Sequence, residues 1–249
     1  MKNQVGFTYQ HLLASLKQRE KLLAVLLDPE DFVLATAQKS INQINQSPAT
    51  HIFVGGSTVK IGATYKLVQQ IRPLTSLPIL IFPSDEQQIA SNADALLFLM
   101  LLSGRNPEYL IEKQVRSAAI LRKQPMDTIS TGYILIDGGT TTTVQKVSHT
   151  TPISMNDLSL ITDTAFAGEL LGNKLIYLEA GSGAMIPINA KVIASVKKSI
   201  SIPLIVGGGI RSLEDINRAY DAGADMVVIG TAFEKDITFF QAINHSILP

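Results

Sequence analysis

"PLIVGGGIRSLEDINRAYDAGADMVVIGTAF", Pro203 to Phe233, contains two apolar β-rich runs separated by one helical segment. The first run, "PLIVGGG", reads as a buried strand that breaks into glycines, and the second, "MVVIGTAF", repeats the pattern. Between them, Ser212, Leu213, Glu214 and Asp215 form a capping box with Asp in place of Glu or Gln, and Gly223 stands where a glycine closes a helix. A strand, a helix and a strand of these lengths join two parallel strands through a right-handed crossover.

The same alternation extends back through the chain. Six earlier runs qualify as strands: "KLLAVLLD" (21 to 28), "HIFVGG" (51 to 56), "PILIFP" (78 to 83), "ALLFLML" (95 to 101), "GYILID" (132 to 137) and "KLIYLEA" (174 to 180). Eight strands in 249 residues predict a closed TIM barrel, one domain covering 1–249. Asp31 to Asn45 places Leu34, Ala37, Ile41 and Ile44 on one helical face. Asn106 followed by Pro107 reads as an N-cap with proline at the first helical position, opening a helix to about Lys123. The link from Ser84 to Asp94 is too short for a full helix, so one outer helix is expected to be degenerate. Thr8 to Glu20, with Leu12, Leu13 and Leu16 on one side, predicts an extra N-terminal helix over the barrel bottom. "GGTTTTVQ" (138 to 145) reads as a flexible loop, or as a lid, since it follows strand five on the face where barrel sites lie.

Composition narrows the function classes. Lys+Arg and Asp+Glu balance at 21 each, so no overall positive field is available to hold nucleic acid. The absence of cysteine excludes disulfides, thiolate metal sites and a thiol nucleophile, and agrees with a cytoplasmic location. The start, "MKNQVGFTYQHLL", lacks the apolar core of a signal peptide, and the longest apolar run, Ala95 to Leu102, is far below the ~20 residues that cross a bilayer.

In a TIM barrel the C-terminal strand ends carry the site, and the loops after strands seven and eight commonly grip phosphate through backbone N–H groups. Here those strands end in Gly207, Gly208 and Gly209, and in Gly230 and Thr231. Glycines that merely turn the chain are the plain alternative. Asp28 ends strand one and Ser57 follows strand two, two hard oxygen ligands on neighbouring strand tops that suit Mg²⁺ shared with substrate phosphates; a helix cap and a turn residue are their ordinary alternatives. On strand six Tyr177 and Glu179 share a face, and placed inward Glu179 would accept a hydrogen bond or a proton from a ligand hydroxyl. A buried ion pair is the competing role, but no lysine falls at an obvious strand top. Of the histidines, His51 starts a strand at the wrong end, His11 and His245 lie near the termini, and His149 falls in the polar loop.

"LLDPED", "VGGST", "SGRNPEYLI", "YLEAGSG", "VGGGIRS" and "VVIGTAFEKD", in that order over most of the chain, resemble geranylgeranylglyceryl phosphate synthase, in the branch shared by some archaea and Bacteroidetes-type bacteria. The last two motifs recur in many phosphate-binding barrels, whereas "YLEAGSG" with "LDP" and "GGS" is specific. The resemblance implies a prenyltransferase that joins a polyprenyl diphosphate, by resemblance geranylgeranyl, to the C3 hydroxyl of sn-glycerol 1-phosphate with Mg²⁺. It implies that Asp28 and Ser57 hold the metal and diphosphate. Tyr177, Leu178, Glu179, Ala180, Gly181, Ser182 and Gly183, with Gly208, Gly209, Gly230 and Thr231, would hold the glycerol phosphate. Glu179 would be the base, with Tyr177 beside it. Leu26 stands where "KLDP" members carry lysine, so a lysine contact at strand one does not carry over. A homo-oligomer, and peripheral membrane contact at product release, complete what the resemblance implies.

Two other readings use the same residues. Asp28 and Asp137, ending strands one and five, match the acids of histidine-biosynthesis sugar phosphate isomerases. The barrel would otherwise be a non-catalytic phosphometabolite-binding protein.

Overall fold

All eight apolar runs form strands, and in the computed structural model, which describes residues 6–124 and 126–230, they close into a parallel barrel in chain order. The strands are β1 (Leu22–Leu27), β2 (His51–Val54), β3 (Ile79–Ile81), β4 (Ala95–Leu101), β5 (Asp127–Leu135), β6 (Leu175–Glu179), β7 (Leu204–Gly207) and β8 (Met226–Ile229). The outer elements are α1 (Phe7–Lys17), α2 (Ala37–Asn45), α3 (Ala63–Ile71), α4 (Lys113–Lys123), α5 (Thr143–Ser148), α6 (Leu158–Leu170), α7 (Ala190–Ser199) and α8 (Leu213–Asp221).

Period-two alternation divides the strands into two apolar layers. Leu22, Ala24, Phe53, Leu80, Leu97, Tyr133, Leu175, Tyr177, Ile205 and Val228 fill the barrel. Leu23, Val25, Ile52, Val54, Leu178, Val206 and Val227 face the helices. Burying a side chain of this size stabilises by about 1.5–3 kcal/mol, and nearly all of them are fully buried.

The predicted signals hold at the helix ends. Asn106 Oδ1 accepts from Glu108 N at 3.1 Å, although the turn that follows, Glu108–Glu112, is π rather than α before α4 begins. Ser212 Oγ accepts from Asp215 N at 3.1 Å, while Asp215 returns a carboxylate oxygen to Arg211 N. Gly223 closes α8 at φ 109°. Helix α2 starts at Ala37, later than its sequence pattern, and Leu34 sits exposed in a preceding 3-10 turn.

α1 covers the barrel bottom as expected. Asp127 anchors it, accepting from Gly6 N and Thr8 N at 2.9 and 2.8 Å. That bond explains why β5 starts at Asp127, five residues before the apolar pattern suggests: its polar first turn serves α1. The expected degenerate helix is a 3-10 turn, Glu86–Gln88, between β3 and β4. The threonine-rich segment is loop only in its first part, 138–142, and its last three residues enter α5. Thr142 accepts from Gln145 N and caps α5, and the chain returns to pair Ile153 with Ile136. No helix of the described residues is long and apolar enough to cross a membrane.

Candidate active site

The inward register of each strand delivers the mouth residues. Asp28 continues the series Leu22, Ala24 and Leu26, Glu179 follows Leu175 and Tyr177, Gly230 follows Met226 and Val228, and β7 ends at Gly207 before Gly208 and Gly209 turn the chain at positive φ. Asp28, Ser57, Tyr177, Glu179, Ser182, Gly183, Gly208, Gly209 and Gly230 all line one cavity of about 640 Å³ at the C-terminal end of the barrel. The two carboxyl groups therefore share one mouth.

Glu179 is 6% exposed, and its Oε1 accepts from Gly181 N at 2.6 Å. Burial raises its pKa from 4.5 to about 7, against the opposing pull of that amide and of the Tyr177 hydroxyl. Tyr177 is fully buried, and burial together with the Glu179 charge pushes its own pKa well up. Its Oη lies beside the carboxyl but makes no well-formed hydrogen bond among the described residues. Glycine is required here: a Cβ at Gly207 would meet Tyr177 Oη at 2.4 Å, and one at Gly208, already at φ 82°, would meet Glu179 Oε1 at 2.3 Å. The backbone of β7 and of the turn after it thus rests directly on the Tyr177 hydroxyl and the Glu179 carboxyl.

Asp28 is desolvated on the opposite side, which raises its pKa; the amide of Glu30 pulls the other way, and Asp31 and Glu30 add like charge. Its Oδ1 accepts from Glu30 N at 2.9 Å. Among the described residues no lysine or arginine pairs with it. A half-buried carboxylate without a cationic partner among the described residues, on the wall of this cavity, has the donor chemistry that suits a hard cation held by one protein oxygen and ligand phosphates. Ser57 lines the same wall, its carbonyl accepting from Ser84 Oγ.

Some expected residues lie elsewhere. Leu178 and Ala180 point into the helix-facing layer, so only their backbone is near the mouth. Gly181 gives its N–H to Glu179. Thr231 falls outside the described residues. Asp137 is exposed, does not line the cavity, and accepts from Gly139 N at 2.9 Å; strand pairing stops at Leu135, and the inward register is lost in that turn. This removes the paired-aspartate isomerase reading. Three features involve residues that the sequence reading did not name. Arg211, inside "VGGGIRS", lines the mouth with its Nη2 on Ala184 O at 2.7 Å. An aromatic cluster of Phe82, Tyr133 and Tyr177 forms the floor, with centroids 5.1–5.9 Å apart. One stretch of the cavity wall, over β4, is apolar, formed by Leu97, Phe98, Leu99 and Tyr109, and is called the apolar arm.

The model of the PcrB family matches residues 16–247. The chain belongs to the PcrB family. Geranylgeranylglyceryl phosphate synthase of Flavobacterium johnsoniae is 53% identical over 94% of this chain and 96% of its own. The enzyme of that name in Thermococcus gammatolerans is 40% identical over 93% and 91%. Among solved structures, (S)-3-O-geranylgeranylglyceryl phosphate synthase of Thermoplasma acidophilum, in complex with its substrate sn-glycerol-1-phosphate, superposes with a TM-score of 0.88. It is 30% identical, with 96% of each chain covered. In this PcrB-family barrel the acids, the glycines and the aromatic floor line one mouth.

Proposed function

We propose that this protein is a prenyltransferase that alkylates the C3 hydroxyl of sn-glycerol 1-phosphate with geranylgeranyl diphosphate, forming an ether and releasing diphosphate. One observation carries the reading. A buried carboxyl with pKa about 7, Glu179, shares a cavity with glycine backbone suited to a phosphoester and with an apolar arm suited to a long hydrocarbon. Isomerisation of a polar sugar phosphate has no use for that arm.

In the reaction the C3 oxygen bonds to the allylic C1, the C1–O bond breaks, and diphosphate leaves with the electron pair. The hydroxyl proton goes to the Glu179 carboxylate, whose raised pKa puts its basicity near neutral. The phosphate of the acceptor sits against Gly208, Gly209 and Gly230, with Arg211 at the rim for charge. Positive charge growing on C1 faces the rings of Phe82, Tyr133 and Tyr177. Asp28 and Ser57 would hold Mg²⁺, which when bound neutralises charge on the departing diphosphate. The exposed apolar residues Ile61, Met185 and Ile186, all in loops on the mouth side, support transient membrane contact as product leaves.

The test incubates purified protein with sn-glycerol 1-phosphate, geranylgeranyl diphosphate and Mg²⁺, with EDTA as control. Ether and diphosphate are expected; no product with donors from fifteen to thirty-five carbons overturns the assignment.

A further inference from the structure

β3 pairs with β4 at only two positions, Leu80 with Ala95 and Ile81 with Leu96, whereas β5 pairs with all seven residues of β4. The rest of the β3-facing edge of β4, from Leu97 onward, has no strand beside it, and the apolar arm lies over that bare edge. Backbone carbonyls on such an edge need donors. Gln114, on the first turn of α4, supplies one: its Nε2 donates to Leu99 O at 2.5 Å and to Tyr109 O at 3.2 Å. Leu99 on β4, Tyr109 in the π turn and Gln114 all line the cavity, and Gln114 bonds to both of the others. Its own Oε1 is buried without a partner among the described residues, so the side chain is held by its donor end alone. π turns inserted before a helix are frequent at functional sites, because they displace the helix from its regular register. Here one amide stands in for the missing strand and ties the displaced turn to β4. Next to it, Lys113 donates to Ser84 O and Asp85 Oδ2 at 2.7 and 3.0 Å, fastening α4 to the chain beyond β3.

We infer that Gln114 is a positioning residue that sets the width of the apolar arm and so governs recognition of the allylic donor's hydrocarbon. The inference rests on the prenyltransferase reading for the identity of the donor, and on the two carbonyl bonds for the role. Gln114 touches neither the acceptor glycines nor Glu179, so its effect is confined to one substrate.

The experiment compares wild type with Gln114→Met, which keeps length and loses both donors, and with Gln114→Lys, which restores N–H donors. Michaelis constants are measured for geranylgeranyl and farnesyl diphosphates and for sn-glycerol 1-phosphate. Dissociation constants for geranylgeranyl thiodiphosphate, which does not turn over readily, are measured by calorimetry. Gln114→Met is expected to raise KM and Kd for the twenty-carbon donor about ten-fold, the effect of losing roughly one hydrogen bond's worth of positioning. Discrimination against farnesyl diphosphate shrinks, KM for sn-glycerol 1-phosphate is unchanged, and Gln114→Lys recovers most of the donor affinity. Equal loss on both substrates, or no change in donor KM and Kd, overturns the inference. Wild-type protein that binds the thiodiphosphate but forms no ether removes the function reading alone, and the Kd comparison then decides Gln114. Wild-type protein that does not bind it overturns both.

Discussion

Tyr177 stacks on Phe82 across the barrel, with ring centroids 5.1 Å apart and planes 12° from parallel, and the stack fixes the phenol hydroxyl beside the Glu179 carboxyl. The hydroxyl gains no well-formed hydrogen bond there, so its position serves the carboxyl rather than the fold. Tyr177→Phe keeps the stack and removes a buried hydroxyl whose approach to Glu179 is not a well-formed hydrogen bond among the described residues, and the melting temperature is expected to change little. Because the hydroxyl holds the Glu179 pKa down, its loss moves the acid limb of kcat/KM to higher pH. A limb that stays in place or moves to lower pH refutes the coupling.

Glu179 itself dictates two pH dependences of opposite use. As a base it must be ionised, so kcat/KM rises with pH through about 7 in the free enzyme. Stability runs the other way. Burial raises the folded pKa above the unfolded 4.5, so the folded state holds the proton more tightly; the stabilisation is fully present below pH 4.5 and is lost as pH rises through about 7. The change from 4.5 to about 7 corresponds to about 3 kcal/mol. Glu179→Gln should flatten that slope in denaturant titrations, keep sn-glycerol 1-phosphate binding, and lower kcat by about a hundred-fold or more. Unchanged turnover removes Glu179 from the mechanism.

Gly207 provides a paired test of the same contact. A Cβ there meets Tyr177 Oη at 2.4 Å and Glu179 Oε2 at 3.1 Å. Gly207→Ala is expected to destabilise by about 1–3 kcal/mol through this overpacking. In a Tyr177→Phe background the nearest clash is gone, and thermal melts should show less than half that loss. Additive losses in the double variant mean that the strain lies elsewhere.

The inward series on each strand made most of the site readable in advance. Asp28 follows Leu22, Ala24 and Leu26, and Glu179 follows Leu175 and Tyr177, so period two alone aims both carboxyls into the mouth. The same rule misplaces Asp137, because pairing stops at Leu135 and the turn through Gly139 rotates the carboxyl out. It also assigns Leu178 and Ala180 to the helix-facing layer, which the motif "YLEAGSG" read as a block conceals. The early start of β5 was hidden because Asp127 spends its carboxylate on α1, a contact over more than a hundred residues of sequence. The residues lining the apolar arm were hidden for a similar reason. The arm arises from the mismatch between a three-residue β3 and a seven-residue β4, and Gln114 acquires its role only once that edge is bare.

Asp28 tests the cation reading without relying on turnover alone. Its carboxyl is desolvated and crowded by Asp31 and Glu30, so in protein without metal it is a cost to the fold. Asp28→Asn preserves shape and the bond from Glu30 N, and with EDTA present it should melt at the same temperature as wild type or slightly higher. Addition of Mg²⁺ with inorganic diphosphate should then raise the wild-type melting temperature and leave Asp28→Asn unmoved, by mass action on a site only one of them possesses. Turnover of the variant should fall by about a hundred-fold or more, consistent with lost stabilisation of the leaving diphosphate. Equal thermal shifts in the two proteins would place the metal away from β1 and leave Asp28 as a cap for the turn to Glu30.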